Sequence, residues 1–236
     1  MKSHGKGLLG SILSQAEDDE EIDVDCIKGV LGNMVAAGYL TTKGALSGFF
    51  LSMLYYPEIQ RRIQEEIDEY IGRDRDPNLD DRSVMHYTNA AILECLRFIS
   101  HVPIGVPHMT REDIEIEGMR IPANTTMITN FWSTNRSEKY WDEPNIFLPE
   151  RFLDDNGKFL PAEHILRLQL IPFGVGRRNC VGESFAKSRI FLYVTSLLQK
   201  FNFTPGENTL ASLDSAKWKP RISMHPDFLN CTVRPR

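Results

Sequence analysis

Cysteine is scarce in this chain: the four residues Cys26, Cys95, Cys180 and Cys231 lie far apart, and no two of them make a C-x-x-C pair. That spacing suggests neither a zinc site nor a small disulfide scaffold, and it reads as reduced thiols in a cytosol-facing protein. A basic excess is missing too. With 27 Lys+Arg against 32 Asp+Glu, the formal charge is −5 at pH 7. A nucleic-acid surface, which needs lysines and arginines to meet phosphates, is thereby set aside. Long apolar runs are also lacking. The longest, ALSGFFLSMLYY from Ala45 to Tyr56, is interrupted by serines, and the opening MKSHGKGLLGSILSQ is too weakly apolar for a signal peptide. Neither segment is expected to cross a membrane.

What is present is ordinary for a soluble globular protein: 236 residues, 42% hydrophobic and 25% charged, enough for a real core. An acidic cluster from Glu17 to Asp25 precedes the first helical pattern, where anions complement the helix dipole. From Val24 onward Ile27, Leu31, Met34, Thr41, Ala45, Phe49 and Met53 recur at near-helical spacing. They predict one helix of roughly thirty residues, interrupted in composition by Gly38, Gly44, Gly48 and the adjacent Thr41 and Thr42. Pro57 starts a second, amphipathic helix with Ile59, Ile63 and Ile67 on one stripe and Gly72 as its stop. The segment VMHYTNAAILECLRFIS is apolar around its circumference from Ala90 to Ile99, which predicts a buried third helix. Alternation around Gly118 predicts short strands. A long irregular stretch from Ser137 to Ile171, rich in aromatics, is expected to be functional or packed against something. A closing helix places Ala186, Ile190, Val194, Leu197 and Phe201 on one face, with strand-like pieces after it.

The strongest chemical signal is PFGVGRRNCVGE, in which Phe173, Gly176, Arg178, Cys180 and Gly182 fall in the order F-x-x-G-x-R-x-C-x-G. This chain's own residue frequencies give such a pattern a chance of roughly one in ten thousand. A cysteine at a helix entry faces backbone N–H groups and the positive end of the dipole, a setting suited to a thiolate that ligates metal. Gly176 and Gly182 remove side chains where a flat ligand must approach backbone, Phe173 can pack beside the sulfur, and Arg178 can fork onto a carboxylate.

This loop closely resembles the haem-binding signature of the cytochrome P-450 family. Glu94 and Arg97 in ECLR match the family's E-x-x-R, and Arg151 in PERF matches the arginine that completes its structural triad. AAGYLTT matches the family's A-G-x-acid-T-T/S on the long oxygen-binding helix, with Ala37 and Gly38 against the haem and Thr41 as the catalytic hydroxyl. Leu40 stands where that pattern has Asp or Glu, and leucine cannot relay a proton. His108 in GVPHMTRED corresponds to a position that contacts a haem propionate in microsomal members. The overall spacing is most similar to the microsomal branch that includes steroid 17α-hydroxylases and xenobiotic oxidisers.

The resemblance implies a mainly α fold with small β-sheets, the C-terminal half of the P-450 fold, spanning 1–236 as one partial domain. It implies haem b with Cys180 as axial thiolate, a lipophilic substrate such as a steroid or xenobiotic, O₂, and electrons from NADPH through a flavoprotein reductase. Arg177, Lys187 and Arg189 could form a basic face for that reductase. The expected location is the cytosolic face of the endoplasmic reticulum membrane, anchored only through an N-terminal half that this chain lacks. On this reading the chain is a fragment or an incomplete gene model and binds haem poorly alone. A haem-thiolate isomerase or peroxide-using relative, or a non-catalytic truncated product, stays open beside the monooxygenase.

Overall fold

A computed structural model describes residues 7–16 and 22–236 of the chain. Residues 1–6 of the opening segment and 17–21 of the acidic cluster lie outside the described residues. The backbone forms two compact units, 1–41 and 42–236.

The first unit holds helix α1 (Leu8–Ala16) and the start of helix α2 (Val24–Tyr55), which at 32 residues runs through the boundary. Asp23 starts α2 by accepting the Cys26 N–H at 2.7 Å, which satisfies one of the donors a helix leaves unpaired at its first turn. The expected apolar stripe divides along its length. In the first unit Ile27 is buried, Leu31 and Thr41 are half-buried and Met34 is exposed, whereas Ala45, Phe49 and Met53, which belong to the second unit, are buried.

In the second unit helix α3 (Pro57–Tyr70) follows with proline in its first turn, and helix α4 (His86–Ile99) lies in the core. Ile59, Ile63 and Ile67 of α3 are buried, and Gly72 beyond its end takes φ +74°, a conformation glycine adopts without strain. Of the 14 residues of α4, all but His86 and Leu93 are buried. The helix ends at Ser100 in the left-handed region, φ +46°. Helix α7 (Glu183–Lys200) completes the helical core through Ile190, Phe191, Val194 and Leu198. Its buried face includes Leu198 where the spacing named Leu197, which is half-buried, since Leu198 falls on the face of Phe191 and Val194 at helical spacing.

The second unit also holds three two-stranded antiparallel sheets: β1 (His108–Met109) with β4 (Thr126–Met127), β2 (Ile114–Ile116) with β3 (Met119–Ile121), and β5 (Phe201–Pro205) with β6 (Cys231–Pro235). The β2–β3 hairpin turns on Glu117 and Gly118, both at positive φ, the geometry that matches strand twist. Short helices α5 (Phe131–Thr134) and α6 (Ile165–Leu168) punctuate the loops. The irregular stretch after Ser137 is anchored rather than loose. Trp141 and Phe152 are buried edge to face with centroids 6.0 Å apart, in a cluster with Ala90 of α4 and Leu170.

Candidate active site

Glu94 and Arg97 project from α4, and each has 0% exposure. Arg97 Nε and Nη2 donate to the two Glu94 carboxylate oxygens at 2.7 Å each, a fork that only a guanidinium offers. The remaining donors of Arg97 reach the carbonyls of Asn135 (2.7 Å), Pro144 (2.9 Å) and Ile146 (3.2 Å). From the other side Arg151 Nε donates to Glu94 Oε1 at 3.2 Å, and the Leu148 N–H reaches the same oxygen at 2.9 Å. Arg151 also holds the carbonyls of Asp142 and Glu143. The structure therefore brings Glu94, Arg97 and Arg151 together, and the cluster ties the irregular stretch to α4. A buried pair persists when its other hydrogen-bonding capacity is met, as it is here.

The cysteine loop lies between this framework and α7. Gly174 and Gly176 take φ +74° and +76°, conformations in which a side chain would be strained. A single helical turn, Gly176–Arg178, follows. The Cys180 N–H donates to the Phe173 carbonyl at 2.8 Å, which closes the loop and fixes the cysteine just ahead of α7. The Cys180 carbonyl accepts from Glu183 N–H at 3.3 Å. Cys180 is a free, exposed thiol. A Cβ on Gly182 would meet Cys180 Sγ at 3.8 Å, an ordinary contact, so that glycine borders the sulfur.

The surroundings suit a flat macrocycle. Val181, Val175 and Phe185 are 91%, 67% and 63% exposed, an apolar surface beside the thiol. Arg178 is exposed and, among the described residues, has no ion-pair partner, so its guanidinium is available to an acid. A soft thiolate donor, apolar neighbours and an open cation match the iron, ring and propionates of haem. His108 lies exposed in β1, opposite Met127 of β4. No hydrogen bond or ion pair among the described residues joins it to the cysteine loop.

Ala37, Gly38 and Thr41 belong to the first unit. Thr41 Oγ1 donates to the Ala37 carbonyl four residues back at 2.7 Å. Gly44 and Gly48 of this helix answer to packing in the second unit. A Cβ on Gly44 would lie 3.0 Å from the Met224 carbonyl and 3.1 Å from the His101 ring, and one on Gly48 would lie 2.7 Å from Ile99 of α4.

The basic residues near the cysteine are unequal. Lys187 is paired with Glu183 at 2.5 Å, and Arg189 lies over the rings of Phe185 and Tyr193, whereas Arg177 is exposed. Motif reasoning passed over the polar residues of α3 that brace the framework. The Glu66 carboxylate caps α4, accepting from Tyr87 N–H (2.7 Å), Thr88 N–H (2.8 Å) and Thr88 Oγ1 (2.6 Å). Burial pushes its carboxyl up from the ordinary value, and those three donors oppose the shift. Gln64 donates to the carbonyls of Leu198 and Phe201, joining α3 to the end of α7. Gln60, Gln64 and Glu66 each lie three residues from an isoleucine of the Ile59, Ile63, Ile67 stripe, at the edge of the buried face.

A helical protein that presents one cysteine from a glycine-bearing loop, braced by a buried Glu–Arg fork, falls in the haem-thiolate class. The chain belongs to the cytochrome P450 family, whose model matches residues 2–227. It is 45% identical over 175 residues to cytochrome P450 2D14 of Bos taurus and 46% over 175 residues to cytochrome P450 2D6 of Homo sapiens. Each match covers 74% of this chain and 34% of the relative. Cytochrome P450 2U1 of Rattus norvegicus is 37% identical over 227 residues, covering 94% of this chain and 42% of the relative. A zebra fish cytochrome P450 solved with abiraterone superposes with a TM-score of 0.80 at 32% identity, covering 92% of this chain and 49% of that one. The chain thus spans less than half the length of these relatives.

Proposed function

We propose that this chain carries the thiolate side of a haem monooxygenase that acts on a lipophilic substrate. The observation that carries the reading is Cys180, exposed at the entry of α7 among exposed apolar side chains and beside the unpaired Arg178. Haem b held there would supply the O₂ activation that a monooxygenase needs. Cys180 Sγ would hold its iron as a thiolate, Arg178 and His108 would meet the propionates, Phe173 would shield the sulfur, and Gly176 and Gly182 would leave room for the ring. The match of AAGYLTT to the family's oxygen-helix motif assigns Ala37 and Gly38 to the haem and Thr41 to a hydroxyl for proton delivery. Glu94, Arg97 and Arg151 act as structural residues that hold the loop.

The substrate class is a steroid or a xenobiotic, a reading supported by the apolar HVPIGV segment, in which Ile104 and Val106 are exposed. Electrons come from NADPH through a flavoprotein reductase that docks on Arg177 and Arg189 more than on the paired Lys187. The site of action is the cytosolic face of the endoplasmic reticulum membrane. No helix among the described residues is long and apolar enough to cross a membrane.

Titrating haem into the chain and recording the reduced carbon monoxide complex tests this reading. The expected result is a thiolate-type Soret band that Cys180→Ser abolishes. Haem that binds both forms equally, with a histidine-type spectrum, overturns it. Because the match covers 49% of the solved relative, weak binding is expected, and the ligand signature is the readout.

Leu40 favours a second reading. With leucine where the family places an acid, and with the Thr41 hydroxyl bonded to Ala37, the helix offers no carboxyl group at the adjacent position for a proton. A haem-thiolate isomerase or peroxide-using enzyme needs no such delivery. Turnover that requires NADPH and a reductase favours the monooxygenase, and turnover driven by peroxide alone favours the second reading.

A further inference from the structure

An open cleft of about 490 Å³ lies in the second unit, lined by Leu79, Asp80, Arg82 and Ser83 of the turn before α4, by Asn89 of α4 and by Phe159. Its chemistry is unusual in one respect. Arg82 Nε is buried and has no hydrogen-bond partner, and its guanidinium makes no ion pair among the described residues. Its guanidinium carbon lies 5.8 Å from the centroid of the Phe191 ring. The adjacent Asp81 cannot serve it, because both Asp81 oxygens are engaged by Arg75 at 2.6 and 2.9 Å and one also accepts the Asn78 N–H.

A second guanidinium stands close by. Arg167 lies 4.5 Å over the ring of Phe159, a wall of the cleft, and donates to the Leu160 carbonyl at 2.8 Å. It too is without an ion pair within 4.0 Å among the described residues. Burial pulls both guanidiniums below their usual range; at Arg167 the Glu163 carboxylate opposes the shift and the Arg82 charge adds to it, while no carboxylate opposes it at Arg82. Arg82, partly desolvated and near a second cation, is unfavourable unless an anion joins it. Buried donors are almost always partnered in native proteins, and an ion is one explanation where they are not.

We propose that this cleft binds a phosphate-bearing small molecule, its oxyanion held by Arg82 with support from Arg167 and its apolar body against Phe159 and Leu79. Guanidinium and phosphate match in charge and in planar fork geometry. Leu79, 46% exposed, and the half-buried Phe159 give an apolar or aromatic group a surface beside the oxyanion. Asp80 at the rim opposes the ligand's charge and keeps affinity moderate.

Isothermal titration of the full chain with inorganic phosphate and with phenyl phosphate tests this. Phenyl phosphate is expected to bind tighter than inorganic phosphate. Arg82→Gln should weaken both by about tenfold or more, the size of one charge-assisted contact. Asp80→Asn, at an exposed position, should tighten both and does not threaten the fold. Saturable binding with those two opposite shifts supports the site. Absence of saturable binding to the wild type, or affinities indifferent to both substitutions, overturns it. Flotation with vesicles containing an anionic phospholipid separates the sources of the phosphate. Arg82-dependent vesicle binding alongside phenyl phosphate binding supports the site with a lipid headgroup as its source, and Arg82-dependent phenyl phosphate binding without it supports the site with a soluble ligand.

Discussion

Arg97 holds Glu94 through two hydrogen bonds of 2.7 Å, with both side chains at 0% exposure. Removing Arg97 strips Glu94 Oε2 of its donor in a buried site, with Arg151 and the Leu148 N–H left only on Oε1, and the carbonyls of Asn135 and Pro144 lose the guanidinium. Arg97→Ala is therefore expected to destabilise the second unit by about 3–5 kcal/mol, a large fraction of a domain's stability. Arg97→Lys should fail nearly as badly, because an ammonium cannot fork. Arg151→Ala should lose only about 1–2 kcal/mol, since the Leu148 N–H still reaches Glu94. Urea midpoints check the order, and equal midpoints for Arg97→Ala and Arg151→Ala contradict it.

The glycines of α2 divide by neighbourhood. Gly29 and Gly32 have nothing within 4 Å of an added Cβ, so alanine there should raise stability by about 0.5–1 kcal/mol each through helix propensity. At Gly44 the added Cβ meets the Met224 carbonyl at 3.0 Å, and backbone cannot turn aside as a side-chain end can. Gly44→Ala should lose about 1–3 kcal/mol. Circular dichroism melts separate the two classes, and a Gly44→Ala variant as stable as the wild type removes the packing account.

That contrast shows what periodicity could and could not reveal. The long helices α2, α3, α4 and α7 were legible because apolar residues repeat at helical spacing over many turns, and Pro57 and Gly72 bound α3. The Glu94, Arg97 and Arg151 cluster was legible as residue types in motif order. Its cage was not, because the carbonyls of Asn135, Pro144 and Ile146 belong to a segment without period and carry no residue-type signal. The tight approaches at Gly44 and Gly48 were hidden for a related reason: a glycine in a helix reads the same whether it meets a neighbour or solvent. Buried polar residues such as Gln64 look solvent-facing until their carbonyl partners 134 and 137 positions away are known.

His101 sits 7% exposed at the end of α4, and burial pushes its imidazole down to about 4 from 6.5. Because the folded value is depressed, the unfolded chain binds this proton first as pH falls. The contribution is full above about pH 6.5 and lost progressively down to about pH 4. It amounts to about 3 kcal/mol at neutral pH, at 1.36 kcal/mol per pKa unit. His101→Leu should flatten the stability profile between those values, read from urea midpoints across the range. An unchanged acid slope in that variant assigns the slope to other groups.

Leu40 lies one residue before Thr41 on α2 and is 45% exposed, so a carboxylate placed there keeps contact with water. The Thr41 hydroxyl already donates its proton to the Ala37 carbonyl, which leaves its oxygen lone pairs able to accept from a neighbouring acid. An aspartate at position 40 adds a group that gains and loses protons near the hydroxyl, and its helix propensity is lower than leucine's by only a fraction of 1 kcal/mol. In a monooxygenase built on this chain, slow or poorly coupled oxygen use is expected with Leu40, and Leu40→Asp should raise the product formed per NADPH consumed. Glu at the same position should act alike, while Asn, which cannot ionise, should not. Measuring product, NADPH and released peroxide for the three variants decides the point. High coupling with Leu40 and a loss with Asp would mean that protons arrive by another route, and would move the balance toward the isomerase-like reading if peroxide alone sustains turnover.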